Sequence, residues 1–181
     1  MKKRKGLFLD RDGVINLNYG YVHKIKDFRF IEGIFDLTRM ALSKNYVICI
    51  VTNQAGIARG YYTESDFKDL TSWMCSKFEE ESVTIEKVYY SPYHPIYGLG
   101  EYKKDHISRK PNTGMLQQAI LELDINIQRS VLIGDNVTDI QAGFSAGVGK
   151  NLYLGKNDIS QHKGVGNYHR ISQLSEAHAY L

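Results

Sequence analysis

Asp10 and Asp12 stand two residues apart and are followed at once by Gly13, at the end of the apolar run Leu7-Phe8-Leu9. Residues two apart at a strand end point the same way. One carboxylate can then attack an electrophile while its neighbour handles a proton. Thr52 and Asn53 follow a second apolar run, and Arg109 and Lys110 leave a long loop just before a helical pattern. Asp135, Asn136 and, one helical turn on, Asp139 follow a further apolar run. Taken singly, each stretch has a plainer reading. Asp-x-Asp-Gly is usually a turn, Lys110-Pro111 a solvated helix start, Asp135 a cap and Asp139 a surface charge. Taken together, in this order and each at the predicted edge of the sheet, they suit attack on a phosphate monoester. Such a substrate is a dianion that repels a carboxylate nucleophile, and a divalent cation held by hard oxygens offsets the repulsion. Asp10 and Asp135 supply ligands for it, and the Asp12 carbonyl a third. Magnesium keeps several waters and suits so sparse a set. Lys110 and Thr52 offer a fixed charge and a hydroxyl to the phosphoryl oxygens. Asp10 attacks phosphorus. Asp12 protonates the leaving oxygen, then deprotonates the water that hydrolyses the aspartyl phosphate.

The elements that must position these groups alternate. Strands are predicted at residues 7–9, 46–51, 85–90, 131–133 and 151–154, with a short one near 168–171. Helical patterns lie between them: Ile34, Leu37 and Ala41; then Phe67, Leu70, Met74 and Phe78 after a Thr63 cap with Asp66 three residues on; then Leu116 to Leu123 after a Thr113 cap; then Ile140 and Ala142; and a helix at the C-terminus. Alternation of this kind predicts a three-layer, Rossmann-like parallel sheet with helices on both faces. Ligands of such folds lie outside the carboxyl ends of the strands, where the polar residues above fall. Residues 1–181 read as one domain, with no insertion long enough for a large cap. The stretch from Ser91 to Asn112 has no period, and a loop of that length is usually functional.

Composition narrows the rest. The chain has 181 residues, 43% of them hydrophobic, with 23 basic and 20 acidic side chains and a net charge of +3. That balance is too mild to imply nucleic acid or a membrane as partner. The basic N-terminus runs into Asp10 after too short an apolar stretch for a signal peptide, and no segment approaches a membrane span. The expectation is a cytoplasmic monomer. Cys49 and Cys75 read as reduced, buried thiols.

The motifs Asp10-Arg11-Asp12-Gly13-Val14, Val51-Thr52-Asn53, Lys110 and Gly134-Asp135-x-x-x-Asp139 resemble the four motifs of the haloacid dehalogenase superfamily. Gly20-Tyr21-Val22-His23, Thr52 to Gly60 and Arg109-Lys110-Pro111-x-x-Gly114-Met115 narrow the likeness to its heptose bisphosphate phosphatases, whose signature the histidinol-phosphate phosphatases largely share. The resemblance covers roughly residues 5–155. It implies a haloacid dehalogenase-like fold and a magnesium-dependent phosphatase that removes the 7-phosphate of heptose 1,7-bisphosphate, in nucleotide-activated heptose synthesis for bacterial surface polysaccharide. The alternative it leaves is histidinol phosphate or another small phosphate monoester. It also implies roles: Asp10 as nucleophile, Asp12 as proton donor, Thr52 and Lys110 as phosphoryl stabilisers, and Asp10, Asp12 and Asp135 as magnesium ligands. Asn18, Tyr19, Gly20, Tyr21, Thr52, Asn53, Gln54, Ala55, Arg109, Lys110 and Asn136 are then the substrate contacts. Arg109 would grip a second phosphate bidentately.

In one place the chain departs from that family. A structural zinc loop, Cys-x-His followed by Cys-x-Cys, is common there. Here the four positions are Ser91, Tyr93, His106 and Ser108, and one imidazole cannot replace thiolate chemistry. No zinc is expected. The loop should instead be held by Tyr90, Tyr93, Tyr97 and Tyr102 packing with Pro92 and Pro95, and should close over the substrate. A non-catalytic binding module would have lost the nucleophile or the metal aspartate, and Asp10, Asp12 and Asp135 are all present. A mutase would need a larger cap.

Overall fold

The computed structural model describes residues 3–181. Six strands, β1 (Lys5–Leu9), β2 (Tyr46–Asn53), β3 (Lys87–Ser91), β4 (Val131–Gly134), β5 (Lys150–Leu154) and β6 (His169–Ile171), form one parallel sheet in the order β3-β2-β1-β4-β5-β6. The chain builds outward from β1 through β2 to β3, then crosses back to lay β4 on the other side of β1. The order therefore reverses between β1 and β4, which pair from Leu7 with Val131 to Leu9 with Ile133. In open parallel sheets a crevice forms at that reversal, outside the carboxyl ends of the strands.

Helices α1 (Ile34–Ser43), α3 (Glu64–Glu80), α4 (Gly114–Leu123) and α5 (Val137–Ala146), with the single turn α2 (Ala55–Ala58), complete the layers. Central strands of a covered sheet are apolar on both faces, and seven of the eight residues of β2 are buried. Alternate side chains then choose the layer. Leu7, Leu9, Ile48, Ile50 and Ile133 pack with Ile34, Leu37 and Ala41 of α1 and Leu70, Met74 and Phe78 of α3. Phe8, Cys49, Val51 and Leu132 turn the other way, onto Met115, Leu116 and Ala119 of α4 and Ile140 and Ala142 of α5. The expected three layers are therefore present. Among the described residues no insertion builds a large cap.

Thr63 caps α3 as predicted. Its hydroxyl accepts the Asp66 amide at 3.1 Å while Asp66 accepts the Thr63 amide at 2.7 Å. Thr113 does not cap α4. Its backbone is already helical, at φ −94° and ψ 0°, whereas a capping side chain needs an extended residue. The tight approach of the preceding loop decides this, since a Cβ on Gly114 would meet the Ile107 carbonyl oxygen at 2.5 Å. Three further expectations need correction. Strand β2 runs on through Thr52 and Asn53, so these are strand-end residues and not loop residues. The C-terminal segment Leu174–Tyr180 is a 3-10 helix, because its three-residue period stacks buried Leu174 and Ala177 on the core. Cys75 is only half-buried, while Cys49 is fully buried and its thiol is pushed up to about 12 by that burial.

Phe78 is fully buried and meets Phe30 and Phe35 edge-on, at centroid distances of 5.8 and 5.1 Å. Phe78→Ala is expected to cost about 3–5 kcal/mol, measured by urea denaturation, because these rings cannot collapse fully into the space left.

Candidate active site

Strand ends deliver the chemistry to the crevice. Asp10 follows β1 and Asp135 follows β4, the two strands that flank the reversal. Their carboxylates and that of Asp139 offer oxygens lying within 4.8 Å of one another. Lys110 enters from the neighbouring loop and is 2% exposed. Its ammonium reaches Asp10 at 3.0 Å, Asp139 at 2.7 Å and the Val51 carbonyl at 2.7 Å. Asn53 fixes the lysine backbone from the end of β2: its amide nitrogen donates to the Lys110 carbonyl and its amide oxygen accepts the Lys110 amide, both at 3.0 Å.

Burial pushes the Asp10 carboxyl up to about 7; Lys110 opposes the rise, and Asp139, Asp135 and Asp12 add to it. The Asp135 carboxyl is likewise pushed up to about 7, by burial and then by Asp139. The Lys110 ammonium is held well above its usual range, because Asp10 and Asp139 outweigh its burial.

Both Asp139 oxygens are already engaged by protein partners. One oxygen takes the Lys110 ammonium and the other accepts the Asn136 amide at 3.0 Å, closing a capping box on α5. Asp10 and Asp135 remain as carboxylate ligands, and hard, sparse oxygen donors of this kind fit magnesium. The space around them is protected by glycine. Gly13 has φ +89°, and a Cβ there would fall 1.9 Å from an Asp135 oxygen. Gly134 serves the lysine partner, since a Cβ there would lie 2.2 Å from the Asp139 Cβ.

Asp12 is set apart from this cluster by its own partners. The Arg11 guanidinium clasps both Asp12 oxygens, at 3.0 and 2.8 Å, and also donates to the Val22 carbonyl at 2.6 Å. The Asn16 amide donates to Asp12 at 3.0 Å, and that of Gln54 does so at 3.2 Å while reaching the Thr52 hydroxyl at 2.8 Å. Tyr62 in turn donates to Gln54 at 2.6 Å. Arg11, Asn16 and Tyr62 are positioning residues to which sequence reasoning assigns no role, whereas Asp139 is grouped with the site by its spacing from Asp135. Arg11 is flanked by two acids and reads as a solvated charge, yet it is 1% exposed.

A cavity of about 450 Å³ opens over these groups. Asp10, Asp12, Asn18, Gly20, Tyr21, Thr52 to Ala55, Arg109, Lys110, Asp135 and Asn136 all line it. Tyr19 does not: it is 66% exposed and faces a separate surface hollow with Lys26, Asp27 and Arg29. The turn around it explains this. Asn18 accepts the Gly20 amide at 3.0 Å, and the positive φ of Gly20 and Tyr21 swings Tyr21 inward in its place.

The long loop forms the far wall. Ser91 and Ser108 share a hydrogen bond at 3.0 Å, the His106 ring nitrogen Nδ1 lies 2.8 Å from the Ser108 hydroxyl, and the His106 ring rests 4.2 Å from that of Tyr93. Two hydroxyls, a phenol and one imidazole are not a donor set for zinc. Tyr90 and Tyr102 both donate their hydroxyls to Glu64 of α3, Tyr102 at 2.8 Å. The expected tyrosine packing thus holds for Tyr93 and Tyr102, whose rings lie 6.1 Å apart, but Pro95 is exposed and Tyr97 stands on Arg59 instead.

A family model described as HAD-hydrolase-like matches residues 107–167. The chain is 45% identical over 166 residues to the D-glycero-beta-D-manno-heptose-1,7-bisphosphate 7-phosphatase of Haemophilus influenzae, covering 91% of this chain and 90% of that one. It is 48% identical over 159 residues to the D-glycero-alpha-D-manno-heptose-1,7-bisphosphate 7-phosphatase of Burkholderia mallei, covering 88% and 84%. The chain belongs to the haloacid dehalogenase-like phosphatases. It is a phosphoric monoester hydrolase. Among solved structures, a HAD-like phosphatase of Mesorhizobium loti superposes with TM-score 0.86 at 32% identity, over 98% of this chain and 86% of that one. The D,D-heptose 1,7-bisphosphate phosphatase of B. bronchiseptica, complexed with magnesium and phosphate, gives 0.83 at 20% identity, over 97% and 96%, a likeness of fold. In this fold the aspartate and threonine motifs fall at strand ends and the lysine motif on the loop before α4. Phosphatases of this family use magnesium.

Gly13→Ala tests the protected space. The added methyl must displace Asp135, so magnesium affinity of the folded variant should fall roughly 10–100-fold in a calorimetric titration; unaltered affinity would place the metal elsewhere.

Proposed function

We propose that this phosphatase removes the 7-phosphate of D-glycero-D-manno-heptose 1,7-bisphosphate through a phosphorylated Asp10, in the synthesis of nucleotide-activated heptose. The observation that carries the reading is the reach of the buried Lys110 ammonium to Asp10, 3.0 Å away, in a cavity that Arg109 also lines. Relatives alike over nine-tenths of the chain bear the name of this reaction. The residues 1–181 act as one catalytic domain.

In the first step the Asp10 carboxylate forms a bond to phosphorus and the bond from phosphorus to the sugar oxygen breaks. Asp12, in its protonated form, gives its proton to that leaving oxygen. Arg11, Asn16 and Gln54 hold the Asp12 carboxyl in one orientation while it does so. In the second step Asp12 takes a proton from water as the water oxygen bonds to phosphorus. The bond from phosphorus to Asp10 breaks, and inorganic phosphate leaves. Lys110 and the Thr52 hydroxyl face the phosphoryl oxygens throughout. Asp10, Asp135 and the Asp12 carbonyl would hold magnesium, whose charge would offset the dianion. Tyr21, Ala55 and Asn136 line the space for the sugar, and Arg109 meets the phosphate that is kept.

The loop needs no zinc in this reading, because hydrogen bonds among Ser91, His106 and Ser108 take its place. Elemental analysis of the purified protein should find no stoichiometric zinc, and a zinc-selective chelator should leave turnover intact.

The decisive experiment is a phosphate-release screen with magnesium, using both anomers of heptose 1,7-bisphosphate beside histidinol phosphate. Heptose bisphosphate should be preferred, and preference for histidinol phosphate would overturn the substrate. Asp10→Asn should lower turnover at least about a thousandfold with the fold intact. Arg109→Ala should weaken a bisphosphate roughly 10–100-fold and a monophosphate less; equal losses would remove Arg109 from its role.

A further inference from the structure

Arg59 follows the single turn α2, directly after the stretch Thr52 to Ala55 that lines the cavity. It makes no ion pair with a carboxylate among the described residues. Its guanidinium carbon lies 4.3 Å from the centre of the Tyr97 ring and 5.8 Å from that of Tyr21. Tyr21 lines the cavity and also meets Tyr61 edge-on at 4.8 Å. Tyr97 belongs to the long loop on the far wall. Arg59 is thus a cationic strut between a ring that lines the cavity and a ring of the long loop. A guanidinium on an aromatic face is attracted by the ring quadrupole, so the strut draws the two rings together. Its Nε is buried and has no hydrogen-bond partner.

Arg109 stands close by. It lines the cavity, donates to the Tyr93 carbonyl at 3.1 Å and likewise has no carboxylate ion partner among the described residues. Burial and then Arg59 hold the Arg109 guanidinium below its usual range, against Asp105. His94 is held below its usual range by burial and then by Arg109 and Arg59, and its Nδ1 accepts the Ile96 and Tyr97 amides at 3.2 and 3.1 Å. Two arginines placed together with no carboxylate between them repel each other. The repulsion is relieved when an anion arrives. The cavity therefore combines acids around Asp10 with positive charge at Arg109 that Asp105 offsets only in part.

We propose that Arg59 is a specificity-determining positioning residue: braced between Tyr21 and Tyr97, it adds its charge to that of Arg109 and shapes the mouth to recognise the second phosphate of a bisphosphorylated substrate. This rests on the reading of the enzyme as a sugar bisphosphate phosphatase. Arg59 does not line the cavity itself. It acts through Tyr21, through Tyr97 and through its field on the anion bound by Arg109.

The test is the ratio of kcat/KM for heptose 1,7-bisphosphate to that for heptose 7-phosphate, which differ only in the second phosphate. Arg59→Met should lower this ratio about tenfold, chiefly through KM for the bisphosphate. Arg59→Lys, which keeps charge and ring contact, should recover much of it. Raised salt should narrow the gap between wild type and Arg59→Met, because a charge only partly withdrawn from solvent is still screened. An unchanged ratio in Arg59→Met, or a lysine variant no better than methionine, would overturn the proposal. If the wild-type enzyme does not turn over heptose bisphosphate, the functional reading fails first. The ratio for fructose 1,6-bisphosphate over fructose 6-phosphate then decides the role of Arg59 by the same criteria.

Discussion

The Lys110 ammonium lies buried between Asp10 and Asp139, and Asp135 completes a group of three carboxylates around a single cation. Unpaired buried charges are costly, and a group so placed either finds counter-charge or changes protonation. With all three acids ionised the group carries an excess of two negative charges. One divalent cation cancels that excess, and in its absence protons can do so. Burial, and then the neighbouring carboxylates, explain why Asp10 and Asp135 hold their protons up to about 7. The imbalance explains why so much of the surrounding sequence is devoted to fixing Lys110: the Asn53 clamp on its backbone, the Val51 carbonyl on its ammonium and the capping box that immobilises Asp139.

The architecture follows from the need to bring these groups together. Carboxylates on β1 and β4 become neighbours only because the strand order reverses there, and the lysine reaches them only because β2 lies on the other side of β1. Glycines keep the approach open: Gly13 leaves room for Asp135 and Gly134 for Asp139. The same carboxylates that repel one another are, in the proposed reaction, ligands and nucleophile once the excess charge is met. The second carboxylate of the first motif is held in its own hydrogen-bond network by Arg11, Asn16 and Gln54, which suits the proton transfer proposed for it.

The layers and the main site were readable from the chain because local signals agreed with the tertiary fold. The apolar runs of β1, β2 and β4 end in acids or a hydroxyl, and the stripe from Phe67 to Phe78 has helical spacing that the core accepts. What escaped was set by contacts distant in sequence. Arg11 has the composition of a surface charge, and only the packing of Val22 and Phe67 around it makes it a buried clasp on Asp12. Tyr19 and Tyr21 are indistinguishable in sequence, and the left-handed turn at Gly20 decides which faces the cavity. Thr113 has the identity of a cap, but the close approach of Ile107 gives it the wrong backbone. The loss of zinc-binding residues was visible. Their replacement by hydrogen bonds among Ser91, His106 and Ser108 depends on geometry that no spacing reveals.

Linkage between protons and magnesium tests the charge imbalance most directly. Raised carboxylate pKa values mean that the folded, metal-free protein binds more protons than the unfolded chain between about pH 4 and 7, so its stability falls as pH rises through that window. Lys110 is charged across the whole of it and adds no slope. A metal that takes Asp10 and Asp135 as ligands must displace their protons. Calorimetric titration of magnesium into the metal-free protein, repeated in buffers of different ionisation enthalpy, counts those protons. About one to two should be released per magnesium near pH 6, falling towards none near pH 8.5. Magnesium binding with no proton release near pH 6, or no binding at either pH, would contradict the account.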